Sequence, residues 1–274
     1  MHAVEGVRDL PILLMLGGTG VYSTGDAVEN NGILKSLVDR KKVIVLTLDK
    51  PGISYSATAP RHFVIDDLMY NQYTQRDLVR CAGNALKWVS EARYASTYSN
   101  IHFLTQSEGT QVAVRIYDAL SKQDPGMARR IRSMFMVGLV MRPWRDIINA
   151  QLPGPAENAN FWKAYQNRDD VTLRSFGGLA YAYWNEILSV ESNEDALRRL
   201  VAQSPAASLQ IFHGLKDVNT LVQPVMDFEV WNNSRLQSKS PRWDLAARYY
   251  NAPHGLNMAA FRDILSAFES ELKR

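Results

Sequence analysis

A serine hydroxyl is a poor nucleophile at neutral pH until the chain supplies a base beside it and a group that orients that base. Ser107 lies in Thr105-Gln106-Ser107-Glu108-Gly109, between the apolar run Ile101-His102-Phe103-Leu104 and the helix-like stretch Thr110 to Leu120. A serine between a strand and a helix, with small residues two positions to either side, has the pattern of a nucleophile elbow. The bend is so tight that only small side chains at those flanks clear the strand and the helix. It lifts the hydroxyl off the sheet and aims the following backbone N–H at the same space.

At serine sites of this strand–turn–helix kind the acid and then the histidine follow in the chain. Asp217 is placed for the acid, in Phe212-His213-Gly214-Leu215-Lys216-Asp217, just past the apolar run Ser208–Phe212. Taken alone it also reads as a turn residue, for which Asp is a common choice. Asp146 is a rival after the preceding strand. Five histidines are available: His2, His62, His102, His213 and His254. His254, in Ala252-Pro253-His254-Gly255-Leu256, follows the last strand candidate in a loop, where its Nε2 is free to swing over a serine. His102 lies within a strand, His213 ends one and reads as a structural hydrogen-bonding residue, and His62 reads as a surface residue.

An oxyanion needs two N–H donors aimed at one point. The Glu108 backbone supplies one. The run Leu16-Gly17-Gly18-Thr19-Gly20 holds three glycines in four residues and lets the backbone approach a substrate closely, so Gly18 or Thr19 is expected to supply the other. The run lacks the Gly-Lys-Ser/Thr ending of a phosphate loop. The Glu108 carboxylate near a helix N-terminus is favoured by the dipole alone.

These residues need a frame. Ile12–Leu16, Val43–Leu48, Ile101–Leu104, Phe135–Met141 and Ser208–Phe212 read as strands buried on both faces, with Ala246–Tyr250 a weaker sixth. Helical patterns lie between them at Ala27–Asp39, Tyr73–Ala92, Thr110–Ser121, Asp195–Ala202 and Met258–Leu272. This alternation predicts an α/β fold, a doubly wound and mostly parallel sheet covered on both sides. Arg142 to Ala207 is far longer than one crossover helix needs, and it holds Trp144, Phe161, Trp162, Tyr165, Phe176, Tyr181, Tyr183 and Trp184. Intervals of that length are usually lids or subdomains. The expected organisation is a core of 1–143 and 191–274 with a helical cap, 144–190, inserted in it.

Composition narrows the partners. Net charge is +3 and Lys and Arg occur mostly singly or in pairs, with no basic stripe to bind nucleic acid. Cys81 is the sole cysteine, so no internal disulfide forms, and its place in the Leu78, Ala82, Leu86 pattern reads as packing. Leu10–Leu16 follows Glu5 and Asp9 and precedes no small-x-small site. It is also too short to span a bilayer. A cytoplasmic protein is expected, though an export segment preceding this sequence is compatible with it.

Over most of its length the chain resembles the α/β-hydrolase fold family. Leu13-Leu14-Met15-Leu16-Gly17-Gly18 is similar to the family's first active-site strand and oxyanion loop, and Leu46-Thr47-Leu48-Asp49-Lys50-Pro51-Gly52-Ile53-Ser54 to its next strand and turn. Ser107, Asp217 and His254 match the nucleophile, acid and base positions. The resemblance implies a sheet of about eight strands or slightly fewer, with a cap where this chain has its aromatic-rich interval. Thr105 replaces the first glycine of G-x-S-x-G, and Leu16 stands where many members carry histidine. The usual N-terminal hairpin is expected to be short or missing.

Together these features predict a serine hydrolase of esters or related acyl compounds, carboxylesterase-like, using no metal or organic cofactor. The aromatic cap favours a small-molecule substrate with an apolar or aromatic group. A proline-iminopeptidase-type aminopeptidase is the close alternative. It needs cap carboxylates for the substrate ammonium, and Glu157, Asp169, Asp170 and Glu186 are the candidates. A non-catalytic small-molecule-binding protein on the same scaffold is the alternative from another class.

Overall fold

The computed structural model describes residues 10–29, 32–40, 42–59, 62–91, 100–203, 207–237 and 243–272. Among these residues six strands form one sheet: β1 (Ile12–Leu16), β2 (Ile44–Leu48), β5 (Ile101–Gln106), β6 (Ile131–Val137), β7 (Ser208–Gly214) and β8 (Asp244–Tyr250). Their order is β2-β1-β5-β6-β7-β8, and every neighbouring pair is parallel. The order reverses between β1 and β5. At such a switch point the loops leaving the two strands part to opposite faces and open a crevice above their carboxyl ends. A two-stranded antiparallel hairpin, β3 (Ile53–Tyr55) with β4 (Phe63–Ile65), stands apart from the sheet.

Alternation along each strand explains the two-sided core. In β1, Ile12 and Leu14 enter a large cluster on one face, while Leu13 enters a second cluster on the other. β6 does the same with Met134 and Met136 against Phe135 and Val137. The larger cluster is closed by α4 (Gln75–Glu91) and α5 (Glu108–Gln123). Leu78, Ala82, Leu86 and Val89 of α4 recur at helical spacing and are buried, as an amphipathic face requires. The second face is covered by α2 (Gly32–Asp39) and α12 (Met258–Glu271), through Leu34, Val38, Ile264, Leu265 and Phe268. Each wholly buried Leu or Ile contributes roughly 1.5–3 kcal/mol. Cys81 is half-buried at the edge of the α4 face.

Several sequence expectations shift in detail. The Ala27–Asp39 pattern falls on α1 (Thr24–Glu29) and α2. The strand expected at Phe135–Met141 runs over Ile131–Val137 instead. Gly138, at φ 57°, ends it, and Leu139 to Met141 continue as buried loop. His2 and Ala92 lie outside the described residues. Between β6 and β7 the chain forms α7 (Trp144–Gln151), α8 (Pro155–Gln166), a 3₁₀ turn at Phe176–Gly178, α9 (Tyr181–Ile187) and α10 (Asn193–Gln203). Trp144, Tyr183 and Trp184 are buried and pack ring against ring. The crossover from β7 to β8 carries α11 (Val222–Gln237). Among the described residues no helix is long and apolar enough to cross a membrane.

Candidate active site

Ser107 occupies the turn between β5 and α5 with φ 51° and ψ −121°. A non-glycine residue held there costs on the order of 1–3 kcal/mol and persists only where its surroundings impose it. The surroundings are visible. The Ser107 N–H donates to the Val137 carbonyl at the end of β6, at 2.9 Å, and the Thr110 hydroxyl donates to the Ser107 carbonyl. Thr105, in the position usually held by glycine, is buried, and its hydroxyl donates to the Phe135 carbonyl at 3.3 Å. The side chain is therefore absorbed by the sheet.

On the far side of the turn Gly109 leaves no room for more. A Cβ at this position would lie 2.5 Å from the Leu16 carbonyl oxygen and 2.7 Å from that of Gly17. Both obstacles are backbone and cannot rotate away. Gly109→Ala is therefore expected to destabilise the protein by about 1–3 kcal/mol, the usual range for forced overpacking, and to reduce activity by moving α5 from the β1 loop. A chemical-denaturation midpoint equal to wild type would show that the turn tolerates a side chain.

The β1 loop comes directly against the serine. A Cβ at Gly18 would sit 2.9 Å from Ser107 Cβ and 3.6 Å from its Oγ. Glu108 begins α5, so its N–H belongs to the first turn, whose donors have no partner within the helix. Its carboxylate does not merely sit at a dipole end as expected. Only 1% exposed, it forms an ion pair with Lys50 Nζ at 3.3 Å and accepts a hydrogen bond from the Tyr183 hydroxyl. Burial drives the Tyr183 phenol well above its ordinary pKa, and the Glu108 charge adds to this, so it remains a donor.

Asp217 and His254 come together. His254 Nδ1 lies 2.7 Å from Asp217 Oδ2. The two loops are joined by backbone bonds from Leu215 N–H to the Tyr250 carbonyl and from Lys216 N–H to the Ala252 carbonyl. Asp217 Oδ1 accepts from the N–H groups of Asn219 and Thr220, and Oδ2 accepts from the Thr220 hydroxyl at 2.7 Å. Burial pushes the Asp217 carboxyl up, but the bonds from His254 and Thr220 outweigh it and hold the group below the ordinary carboxylate value. An ionised carboxylate only accepts, so Nδ1 is the donor of this bond and Nε2 is the ring atom turned away from Asp217. The His254 ring rests on the end of β6: a Cβ at Gly138 would fall 2.7 Å from its Cε1. Gly138 is the residue after Val137, the acceptor of the Ser107 N–H.

The other candidates are placed elsewhere. Asp146 is exposed in the first turn of α7. His213 is fully buried, its Nε2 donates to the Thr220 carbonyl at 2.5 Å, and burial lowers its pKa. It braces the turn that carries Asp217. His102 bonds Ser133 Oγ at 2.6 Å, and burial lowers its pKa to about 4. His62 is exposed and pairs with Asp26 at 2.7 Å. Glu157, Asp169 and Asp170 are exposed, and Glu186 is paired to Arg115 at 2.6 Å. Lys50, Tyr22 and Thr220 belong to the site's surroundings and were not singled out by sequence. For Thr220 the Asp-x-x-Thr spacing of a side-chain-capped turn was a usable signal.

A cavity of about 170 Å³ is bordered by Gly17, Gln106 and Gly255, and Met15, Leu104 and Phe261 make it apolar. A larger groove of about 970 Å³ runs between α4, α5 and α10. Neither Ser107 nor His254 lines either of them. Among the described residues no group of His, Cys, Asp and Glu is arranged to hold a metal ion.

No protein-family model matches the sequence, and no curated protein does. Solved structures do. A lipase in its open form is similar over 100% of this chain and 92% of its own length, at TM-score 0.61 and 13% identity. Est1E from Butyrivibrio proteoclasticus matches over 97% and 90%, at TM-score 0.55 and 11% identity. The monoacylglycerol lipase of Paleococcus ferrophilus matches over 97% and 96%, at TM-score 0.54 and 12% identity.

Proposed function

On this α/β-hydrolase fold, we propose that the chain is a serine hydrolase that cleaves a small ester or related acyl compound through an acyl-enzyme on Ser107. The observation that carries the reading is the His254–Asp217 hydrogen bond, 2.7 Å long, with the ring against Gly138, one residue past the Val137 carbonyl that holds the positive-φ serine. His254 Nε2 takes the Ser107 proton as Oγ attacks the carbonyl carbon, and then gives it to the leaving alcohol. Asp217 fixes the tautomer and stabilises the imidazolium. The Glu108 N–H and an N–H of the Gly18-Thr19 loop receive the developing oxyanion. Water, deprotonated by His254, then releases the acid.

Residues 144–190 act as the cap. Gly177 of its 3₁₀ turn lies against the Thr19 methyl, where a Cβ would approach to 2.6 Å. The cap aromatics Trp144, Tyr183 and Trp184 are spent on packing. The peptidase alternative loses support, because its four candidate carboxylates are exposed or already neutralised. The experiment is labelling with a fluorophosphonate, followed by a panel of chromogenic esters of graded acyl length and aminoacyl anilides. Labelling at Ser107 and turnover of esters are expected. Folded protein that takes no label sinks the mechanism, and turnover of anilides alone turns the reading to a peptidase.

A further inference from the structure

Lys50 lies two residues beyond β2 and is 7% exposed. Its Nζ donates to the Gly18 carbonyl at 2.7 Å and the Gly20 carbonyl at 2.8 Å, and faces Glu108 Oε2 at 3.3 Å. The Tyr22 hydroxyl donates to the same Gly18 carbonyl at 3.0 Å. Two of the ammonium's donors are thus committed to the β1 loop, and its charge is paired with Glu108. Burying such a pair carries a desolvation cost of several kcal/mol per ion, and an apolar filling is often no less stable. Stability alone is a weak reason for it.

Peptide geometry supplies a better reason. In a trans peptide the carbonyl of one residue and the N–H of the next point in opposite directions. Fixing the Gly18 oxygen toward Lys50 and Tyr22 therefore aims the Thr19 N–H away from them. Without such a restraint a loop with three glycines in four residues has many peptide orientations open to it. The same ammonium also grips Glu108, whose own N–H opens α5.

Resting on the serine-hydrolase reading above, we infer that Lys50 is a positioning residue for the oxyanion site. With Tyr22 it sets the Gly18–Thr19 peptide, and through Glu108 it ties that peptide to the first turn of α5. The two donors are thereby held in one frame, and Thr19 carries the loop N–H whose direction is set.

The test compares wild type, Tyr22→Phe and Lys50→Met/Glu108→Gln, the double variant leaving no buried charge unpaired. Each is assayed with a chromogenic ester that the wild type turns over, for kcat and KM separately. Affinity for a boronic acid, which mimics the tetrahedral adduct, and melting temperature are measured alongside. Losing one whole oxyanion donor costs about 10²–10³ in kcat. The double variant is expected to lose about 30- to 300-fold in kcat and Tyr22→Phe roughly 3- to 10-fold, with KM within about threefold and boronate affinity falling in step with kcat. Folded variants that melt lower but keep kcat and boronate affinity overturn the inference, because that is what a purely structural pair does. If the double variant does not fold, Tyr22→Phe decides alone, and an unchanged kcat overturns it. A wild type that takes no fluorophosphonate and turns over no ester removes the underlying reading and the clamp with it.

Discussion

Ser107→Ala is expected to lower ester turnover by about 10⁴–10⁶-fold, and His254→Ala to do the same. The two losses do not add, because the hydroxyl and the imidazole act only together: the double variant is no slower than either single one. KM changes little, since neither group holds the substrate's ground state. The alanine at 107 keeps the positive φ and both backbone bonds of the turn, so the melting temperature stays near that of wild type. Steady-state kinetics, with label incorporation as a check on contaminating esterase, measures this. A Ser107→Ala protein retaining a tenth or so of wild-type turnover ends the covalent mechanism.

Asp217→Asn costs about 10²–10⁴-fold in kcat while leaving the fold intact. The reason lies in which atom donates. Asp217 Oδ2 accepts from His254 Nδ1 and from the Thr220 hydroxyl, and Oδ1 accepts from two backbone N–H groups. Asparagine has one oxygen only. If it faces the backbone donors, the amide nitrogen faces Nδ1 and demands a lone pair there. The ring proton then moves to Nε2, and the base is presented in the wrong tautomer. An activity close to wild type would assign the acid role to Asp146, whose exposed place on α7 offers nothing to support it.

What could be read from the sequence follows from what the physics makes local. β1 and β5 were legible because a short apolar run bounded by turn residues packs as a strand buried on both faces. The elbow was legible because Gly109 and Ser107 sit at fixed offsets from a strand end. Asp217 and His254 were legible for the same reason, each following a strand. The β3–β4 hairpin has three residues per strand, too few to show a period. α11 carries apolar residues around its whole circumference: Phe228 is buried while Val230 is exposed, so no stripe announces it. β6 was displaced because the apolar run continues past Gly138, and a left-handed φ is not written in hydrophobicity. Lys50 was the hardest. A lone lysine in a turn looks like any solvated cation, and only the sheet brings positions 18, 50 and 108 to one point.

Under the proposed mechanism, strand spacing sets the distance the proton must cover. Ser107 leaves β5 and Asp217 follows β7, with β6 between them. Neighbouring strands lie about 4.8 Å apart, so the two side chains start from rows separated by roughly 10 Å. One imidazole, entering from beyond β8, has to span that interval, and its route passes over the tip of the intervening strand. Gly138 stands there, and the ring occupies the volume a methyl group would claim. The bare position is a saddle across which the imidazole lies, so its lack of a side chain is as much a part of the candidate site's layout as the groups it separates.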